Sequence, residues 1–170
     1  MLPTVMSDLT GPDGDGAHDQ ESTPRTALFD VNVLVALALG EHLHHMAAHA
    51  FLREWNGGWA TTPMTESAFV RLLLNPAITG KAYAVSDIAV VLRGMRAEPR
   101  WMFLPDHSSL IDPQVDTSIL VSHSLVTDVH LVNLAACRDM TLATFDRRLP
   151  THLAPRDRHH VTVIPAGVAQ

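Results

Sequence analysis

Four acidic residues of this chain lie at or just after apolar segments, where an unpaired charge is costly. They are Asp30 in TALFDVNVLVAL, Glu66 in TPMTESAFV, Asp128 in SLVTDVHLVNLAA and Asp146 in TLATFDRRL. Carboxylates are rarely buried without a partner, because removing the charge from water costs free energy. A hard divalent cation is one suitable partner, and Mg²⁺ prefers oxygen ligands while keeping waters and substrate phosphates in its shell. The leading interpretation is a metal-dependent enzyme that acts on phosphodiesters.

Hydrolysis of a phosphodiester needs a nucleophilic water, an in-line geometry and neutralisation of charge on the phosphate. One or two metal ions held by carboxylates can supply all three. We therefore predict Asp30 as a central metal ligand, with Asp128 opposite it and Asp146 completing the acidic pocket. The side chains expected to orient water or to hydrogen-bond the carboxylates are Asn32, Thr127 and Thr144.

Each acid taken alone also has an ordinary structural explanation. Asp128 could cap a helix, and Asp146, which precedes Arg147 and Arg148, could form a surface ion pair. Two of the acids, however, follow strands in a chain where strands and helices alternate. Taken together, the acids therefore favour a shared metal site over these separate explanations.

Strands and helices that would position the acids alternate along the chain from Thr26 onward. The predicted strands cover residues 27–29, 59–62, 101–104, 142–145 and 161–164. The predicted helices cover residues 31–39, 41–56, 63–74, 82–96 and 128–138. Apolar strands separated by helices predict an α/β fold with a mostly parallel sheet, whose sites form beyond the carboxyl ends of the strands. Asp30 and Asp146 both fall at such ends.

The overall composition is typical of one folded domain. The chain has 170 residues, of which 46% are hydrophobic and 18% are charged. No apolar run approaches the roughly 18 residues that span a bilayer, and the N-terminus lacks the layout of a secretory signal. Cys137 is the only cysteine, which suits a reducing compartment. We expect a cytoplasmic protein.

The formal net charge of −6 is concentrated near the N-terminus. Residues 1–23 hold five acids and no Lys or Arg, so the remainder carries 13 acidic and 12 basic residues. Local charge governs the binding of a polyanion, so composition neither supports nor excludes RNA. Residues 1–24 are rich in Gly, Asp, Pro, Ser and Thr, which predicts a flexible acidic extension before a domain over 25–170; alternatively, Met6 is another possible translation start.

Four segments of the chain resemble the signatures of PIN-domain ribonucleases of the VapC toxin type. They are TALFDVNVLVAL, TPMTESAFVRLLLNP, LVTDVHLVNLAA and LATFDRRL, and the resemblance covers roughly residues 26–165. It implies a three-layer α/β/α domain with Mg²⁺- or Mn²⁺-dependent endoribonuclease activity. It also implies a homodimer that is inhibited by a cognate VapB-type antitoxin.

The resemblance also implies roles for individual residues. By position, Asp30, Glu66, Asp128 and Asp146 match the catalytic acidic quartet of the family, and Thr144 matches its small polar residue before the last acid. One position departs from the pattern of the family. In many members the second acid directly precedes two apolar residues and an Arg, which here are Phe69, Val70 and Arg71. This chain has Ala68 at the position of that acid. Two residues on a helix are a rotation of about 200°. Glu66 must therefore reach the site from the first turn of its helix.

Three other functions remain open from the sequence. The first is a PIN-type nuclease of RNA maturation or decay outside a toxin system. The second is a metal-binding or RNA-binding interaction module without catalysis. The third is a phosphatase of the aspartyl-phosphate type, which would want a second Asp two residues after Asp30, where Asn32 stands.

The chain is also rich in histidine, with 11 residues, four of which crowd one predicted helix. His45 and His49 have the i, i+4 spacing of a metal-binding pair, but a zinc site would normally need further ligands. The favoured interpretation is a polar helix face near the mouth of the pocket, from which one imidazole could reach the substrate. The crowded histidines are His42, His44, His45 and His49.

Arginines near the acidic motifs are candidates for phosphate contacts, because the guanidinium group suits bidentate recognition of phosphate. The candidates are Arg71, Arg147 and Arg148, and ordinary solvated surface is the competing explanation. No run of interleaved basic and aromatic residues predicts an RNA-stacking platform. Trp55 and Trp59 are expected in the core or at a dimer contact.

Overall fold

Five short strands form the centre of the fold, in a computed structural model that describes residues 25–166. The extension predicted over residues 1–24 lies outside the described residues. All strand pairs are parallel, and the order across the sheet is β3-β2-β1-β4-β5. The prediction of a mostly parallel sheet is confirmed. The strands are β1 (Ala27–Phe29), β2 (Trp59–Thr61), β3 (Trp101–Phe103), β4 (Thr141–Thr144) and β5 (Val161–Val163).

Strand β1 lies in the middle of the sheet and fixes its register. Leu28 of β1 is paired with Ala60 of β2 on one side and with Leu142 of β4 on the other. All residues of these three strands are buried, and strands covered on both faces need continuous apolar runs. Strands β2 and β3 lie on one side of β1, and strands β4 and β5 lie on the other. This reversal creates a crevice at the carboxyl ends of β1 and β4.

Helices cover both faces of the sheet and complete three layers. On one face Phe29, Trp59 and Phe69 belong to a buried cluster with α1, α2, α3 and α5. On the other face Leu142 packs in a second cluster with Leu131 of α6. The predicted α/β/α architecture is confirmed. The helices are α1 (Val31–Ala38), α2 (His45–Glu54), α3 (Pro63–Leu73), α4 (Pro76–Thr79), α5 (Val85–Arg96), α6 (Val126–Ala136) and α7 (Leu149–His152), and 3₁₀ turns cover Thr117–Ile119, His123–Leu125 and Pro155–His160.

Three helices begin at other residues than predicted, and the one predicted over 82–96 begins at Val85. The helix predicted over 41–56 begins only at His45, because residues 40–44 form turns in which the His45 amide donates to the His42 carbonyl over 2.9 Å. The helix predicted over 128–138 begins two residues earlier, at Val126. Asp128 therefore lies inside the first turn and is not the cap. The short helices α4 and α7 were not predicted, and each carries a Pro in its first turn.

A close backbone approach explains the glycine that precedes β2. A Cβ added at Gly57 would lie 2.1 Å from the carbonyl oxygen of Arg25, so a larger residue would push the chain entering β1 away from β2. Trp59 then starts β2, where its ring stacks on Phe29 with centroids 4.8 Å apart. Within residues 25–166, no helix has the length and apolar character needed to cross a membrane.

Candidate active site

Asp30 follows β1 directly and is the most buried acid of the site, with 8% of its surface exposed. Its Oδ2 atom accepts hydrogen bonds from Asn32 Nδ2 and from Thr144 Oγ1, each 2.7 Å long. Asn32 Nδ2 also donates to Thr144 Oγ1 over 2.9 Å, which closes a triangle. The side chain of Asp30 makes no capping bond to its own helix. Its carboxylate is thus oriented by β4 and α1 together.

The same two polar side chains connect Asp30 to the segment that follows β4. Thr144 Oγ1 accepts from the Asp146 amide over 3.1 Å, and Asn32 Oδ1 accepts from the Phe145 amide over 3.2 Å. Asp146 is exposed, and its Oδ1 accepts from the Arg148 amide over 2.8 Å. Among residues 25–166 Asp146 makes no ion pair. The surface ion pair that competed with a site role is therefore absent from the described part of the chain.

Asp128 lies in the first turn of α6 and is half-buried. Burial, together with the negative charges of Asp30 and Asp146, raises the pKa of this carboxyl from its ordinary value of 3.8 to about 6. Burial likewise raises the pKa of Asp30, an effect that its hydrogen bond from Thr144 opposes and the charge of Asp146 reinforces. These mutual effects mean that the three aspartates share one electrostatic environment.

A histidine that the sequence analysis did not single out also acts on this environment. His152, at the end of α7, lowers the pKa of Asp128 against the larger effects of burial and repulsion. No sequence pattern pointed to it, because α7 has only four residues and its approach to α6 depends on the tertiary fold.

Glu66 occupies different surroundings from the three aspartates. Its Oε1 and Oε2 atoms accept from Nε and Nη2 of Arg96 over 3.0 and 2.9 Å, and Oε1 also accepts from Thr61 Oγ1 over 2.5 Å. The Arg96 guanidinium lies over the rings of Trp101 and Phe103, 4.9 and 5.2 Å from their centroids. The charge of Glu66 is balanced by this ion pair, and it is not among the charges that shift Asp30 or Asp128.

Three other predicted site residues, Thr127, Arg71 and Arg147, make no hydrogen bond or ion pair to the acidic cluster within residues 25–166. Thr127 is exposed and, with Arg71 and Ala68, lines a groove of about 280 Å³ between α3 and α6. Its hydroxyl makes no hydrogen bond to an acid within the described residues. Arg147 is exposed directly after Asp146. The arginines are accessible to a polyanion that enters the crevice.

Two of the four crowded histidines hold α2 against α1. The rings of His45 and His49 donate to the carbonyl oxygens of Ala36 and Leu37 over 2.8 and 3.3 Å. His44 differs, because its ring stacks on Phe145 with centroids 4.5 Å apart and planes 15° apart. One imidazole of the group therefore lies beside the segment that carries Asp146.

The donor set of the cluster fits a hard cation. Within residues 25–166, no group of three His, Cys, Asp or Glu side chains is arranged so that it could hold a metal ion. Mg²⁺, however, is often bound through only one or two carboxylates, with waters and substrate phosphates as its other ligands. Asp30 and Asp128 supply oxygen ligands whose mutual repulsion a cation would relieve.

The parallel sheet with helices on both faces and acids at the crevice between β1 and β4 defines a PIN-like domain. No model of a known protein family matches the chain. Individual relatives do: Ribonuclease VapC38 of Mycobacterium tuberculosis is 41% identical over 143 residues, which cover 81% of this chain and 97% of the relative. Ribonuclease VapC39 and Ribonuclease VapC29 of the same organism are each 39% identical, over 73% of this chain and 91% and 88% of their own lengths. The chain belongs to the VapC ribonuclease family, which confirms the resemblance seen in its motifs.

Proposed function

We propose that this chain is a divalent-metal-dependent endoribonuclease and the toxin of a VapBC-type toxin–antitoxin pair. Its relatives are named ribonucleases, which supports RNA as the substrate. The observation that carries the metal-dependent part is the proximity of Asp128 to Asp30 and Asp146, which follow the paired strands β1 and β4. Burial and these two carboxylates raise the pKa of Asp128 to about 6. Carboxyl groups that repel one another at the carboxyl ends of parallel strands would be stabilised by a bound cation.

The roles follow from the surroundings of each side chain. Asp30 and Asp128 would hold Mg²⁺ or Mn²⁺, and the more exposed Asp146 would complete the ligand set or hold a water. When bound, the cation would supply an activated water and neutralise charge on the phosphodiester. Thr144 and Asn32 keep the Asp30 carboxylate oriented before metal arrives, since both donate to its Oδ2 atom.

Glu66 is retained in the proposal as the fourth catalytic acid, with one condition. Both of its oxygens accept from Arg96, so a role at the metal requires this ion pair to open when substrate binds. The groove lined by Arg71 and Thr127 and the exposed Arg147 would receive phosphates on either side of the cleaved bond.

The proposed partners follow from the same family. A cognate VapB-type antitoxin would inhibit the enzyme, and the toxin would act as a homodimer. Co-purification with the product of a neighbouring small gene, together with growth arrest on expression of the toxin alone, would support the toxin assignment. Growth that is unaffected by an active nuclease would favour RNA processing outside a toxin system.

The enzymatic proposal is tested by cleavage of a mixed pool of structured RNAs with Mg²⁺, Mn²⁺ or EDTA. Wild-type protein is compared with Asp128→Asn and with a matched control, Asp87→Asn, because Asp87 is also an aspartate in the first turn of a helix but is exposed on α5. We expect metal-dependent cutting that Asp128→Asn abolishes and Asp87→Asn retains. Full activity of Asp128→Asn would contradict the site. No cutting by folded, antitoxin-free wild-type protein with either metal would favour a binding-only module.

A further inference from the structure

Three aromatic side chains form a row that begins beside the acidic cluster, and we refer to His42, His44 and Phe145 as the ring row. Phe145 lies between Thr144 and Asp146, and its amide donates to Asn32 Oδ1 over 3.2 Å. His44 stacks on Phe145 at a centroid distance of 4.5 Å. The ring of His42 follows at 5.7 Å from that of His44, with the two planes tilted by 57°. The His44 amide donates to His42 Nδ1 over 3.2 Å. The row is thus fixed at both ends.

The far end of the ring row lines a cavity between α1 and α4. This cavity of about 660 Å³ is lined by His42, Lys81 and Tyr83, among others, and lies between the turn after α1 and the segment after α4. Lys81 Nζ stands 4.8 Å from the centroid of the Tyr83 ring. A space of this size is typical of small-ligand sites. It combines aromatic walls with one cationic group, Lys81, and one acidic group, Glu41.

We infer that the ring row and this cavity form a subsite for a nucleotide of single-stranded RNA next to the cleaved phosphodiester. The inference rests on the proposed ribonuclease function and deepens it. The base would lie against the imidazoles of His42 and His44, and Lys81 would contact a backbone phosphate. Proteins that bind single strands combine base stacking on flat side chains with cationic groups along the backbone.

The electrostatics of the ring row agree with a stacking role. Burial, together with the neighbouring imidazoles of His44 and His45, lowers the pKa of His42. The lowered pKa favours the uncharged form of the His42 ring, and Lys81 is the cation that lines the cavity. A base can stack on such a ring without displacing a hydrated cation.

Apolar side chains also surround the cavity, and they raise a competing possibility. Leu43 and Ile78 line it and are 83% and 54% exposed, a feature that also suits a protein partner such as the antitoxin. We favour RNA because the ring row connects the cavity to Asp146 without a break and because Lys81 complements a phosphate. Binding measurements with RNA and with the antitoxin distinguish these two ligands of the cavity.

The test replaces His44 in two ways. His44→Leu keeps apolar packing on Phe145 but removes the ring, and His44→Phe keeps a ring of similar shape. Steady-state cleavage of an RNA that the wild-type protein cuts gives kcat and KM, and fluorescence anisotropy with a mixed single-stranded RNA gives Kd in the uncleaving Asp128→Asn background. The control is His159→Ala, which removes an exposed imidazole at the opposite edge of the sheet, before β5.

We expect His44→Leu to raise KM and Kd about tenfold, with kcat changed by less than about twofold, because stacking contributes to binding of the base. His44→Phe should restore both constants, and His159→Ala should change neither. Lys81→Ala should weaken RNA binding. It should also reduce the slope of log Kd against log salt concentration by about one, which corresponds to the loss of one phosphate contact. Thermal unfolding of each variant checks that the fold is intact.

Two results would overturn the subsite while leaving the ribonuclease function in place. The first is unchanged KM and Kd in His44→Leu while wild-type protein cuts RNA. The second is unchanged RNA binding together with weaker binding of the antitoxin, which would assign this surface to the protein partner. If wild-type protein neither cuts nor binds RNA, the proposed function fails, and the subsite fails with it.

Discussion

Thr144 Oγ1 donates a 2.7 Å hydrogen bond to Asp30 Oδ2, although the two residues are 114 positions apart in the chain. The contact forms because Thr144 ends β4 and Asp30 follows β1, and these strands are neighbours in the sheet. The same hydroxyl accepts from the Asp146 amide. One fully buried oxygen atom therefore positions two acids of the site.

Replacing Thr144 with valine keeps the shape of the side chain and removes this connection. We expect Thr144→Val to lower activity about 10- to 100-fold, as losses of groups that orient metal ligands do. It should also destabilise the fold by about 1 to 3 kcal/mol, because Asp30 loses a buried donor. Cleavage assays and urea unfolding measure the two effects separately.

The matched control for this variant is Thr141→Val on the same strand. Thr141 is also buried, but its hydroxyl bonds to Thr162 over 2.9 Å at the opposite end of β4. Thr141→Val should lose stability without a comparable loss of activity per folded molecule. Equal activity losses in both variants would mean that Thr144 acts only through the stability of the strand.

The raised pKa of Asp128 predicts how the metal-free protein responds to pH. The folded state binds this proton more tightly than the unfolded state, because the pKa rises from 3.8 to about 6 on folding. The stabilising contribution is complete below about pH 4 and is lost as the pH rises through 6. Asp128→Asn removes this dependence and should be more stable than wild-type protein at pH 7, by about 1 to 2 kcal/mol after solvent screening is considered.

Urea unfolding in EDTA between pH 4 and pH 8 measures this difference. The gap between Asp128→Asn and wild-type protein should widen from pH 4 to pH 6 and then remain constant. Asp87→Asn, in an exposed first helical turn, should follow the wild-type curve. Parallel curves for wild-type protein and Asp128→Asn would contradict the raised pKa that burial and the neighbouring aspartates give Asp128.

The sequence predicted the aspartates well because local patterns determine where they lie. Asp30 ends a short apolar run that is too short for a helix, and the parallel sheet then brings it to the same edge as Asp146. Asp128 was predicted near a helix start from apolar periodicity, and the helix begins two residues earlier. Strand ends are predictable in this way because the topology of a parallel sheet aligns them.

The contacts of Glu66 and His44 could not be predicted, because each depends on how distant elements pack. Arg96 lies 30 residues after Glu66 on another helix, and no sequence pattern fixes the register between α3 and α5. His44 was predicted inside a helix, where its ring would share a face with neighbouring histidines. The turn over residues 40–44 directs the ring to Phe145 instead.

The ion pair between Glu66 and Arg96 can be tested by a double-mutant cycle. Glu66 is 14% exposed at its side chain and Arg96 is 36% exposed, so removing either partner leaves a partly buried charge unpaired. We expect Glu66→Gln and Arg96→Met each to destabilise the fold by about 1 to 3 kcal/mol, with a coupling energy of about 1 to 2 kcal/mol. Urea unfolding of the two single variants and the double variant gives these values.

Activity measurements on the same variants address the catalytic role of Glu66. If it is the fourth acid, Glu66→Gln should lose more than about 100-fold in kcat, whereas Arg96→Met should keep activity because the carboxylate remains. Small and equal changes in both variants, measured where each is fully folded, would assign Glu66 to the ion pair alone.

Divalent cations should stabilise the protein through the aspartate cluster. A cation between Asp30 and Asp128 would offset the burial and the repulsion that raise the pKa of Asp128. Mg²⁺ should therefore raise the unfolding temperature and also flatten the pH dependence between pH 4 and pH 6. At 100 times its Kd the ion would add about 2.7 kcal/mol. Asp30→Asn and Asp128→Asn should lose this response, whereas Asp87→Asn should keep it. Differential scanning fluorimetry with NaCl at matched ionic strength excludes simple screening, and an equal rise in all variants would mean that Mg²⁺ binds elsewhere.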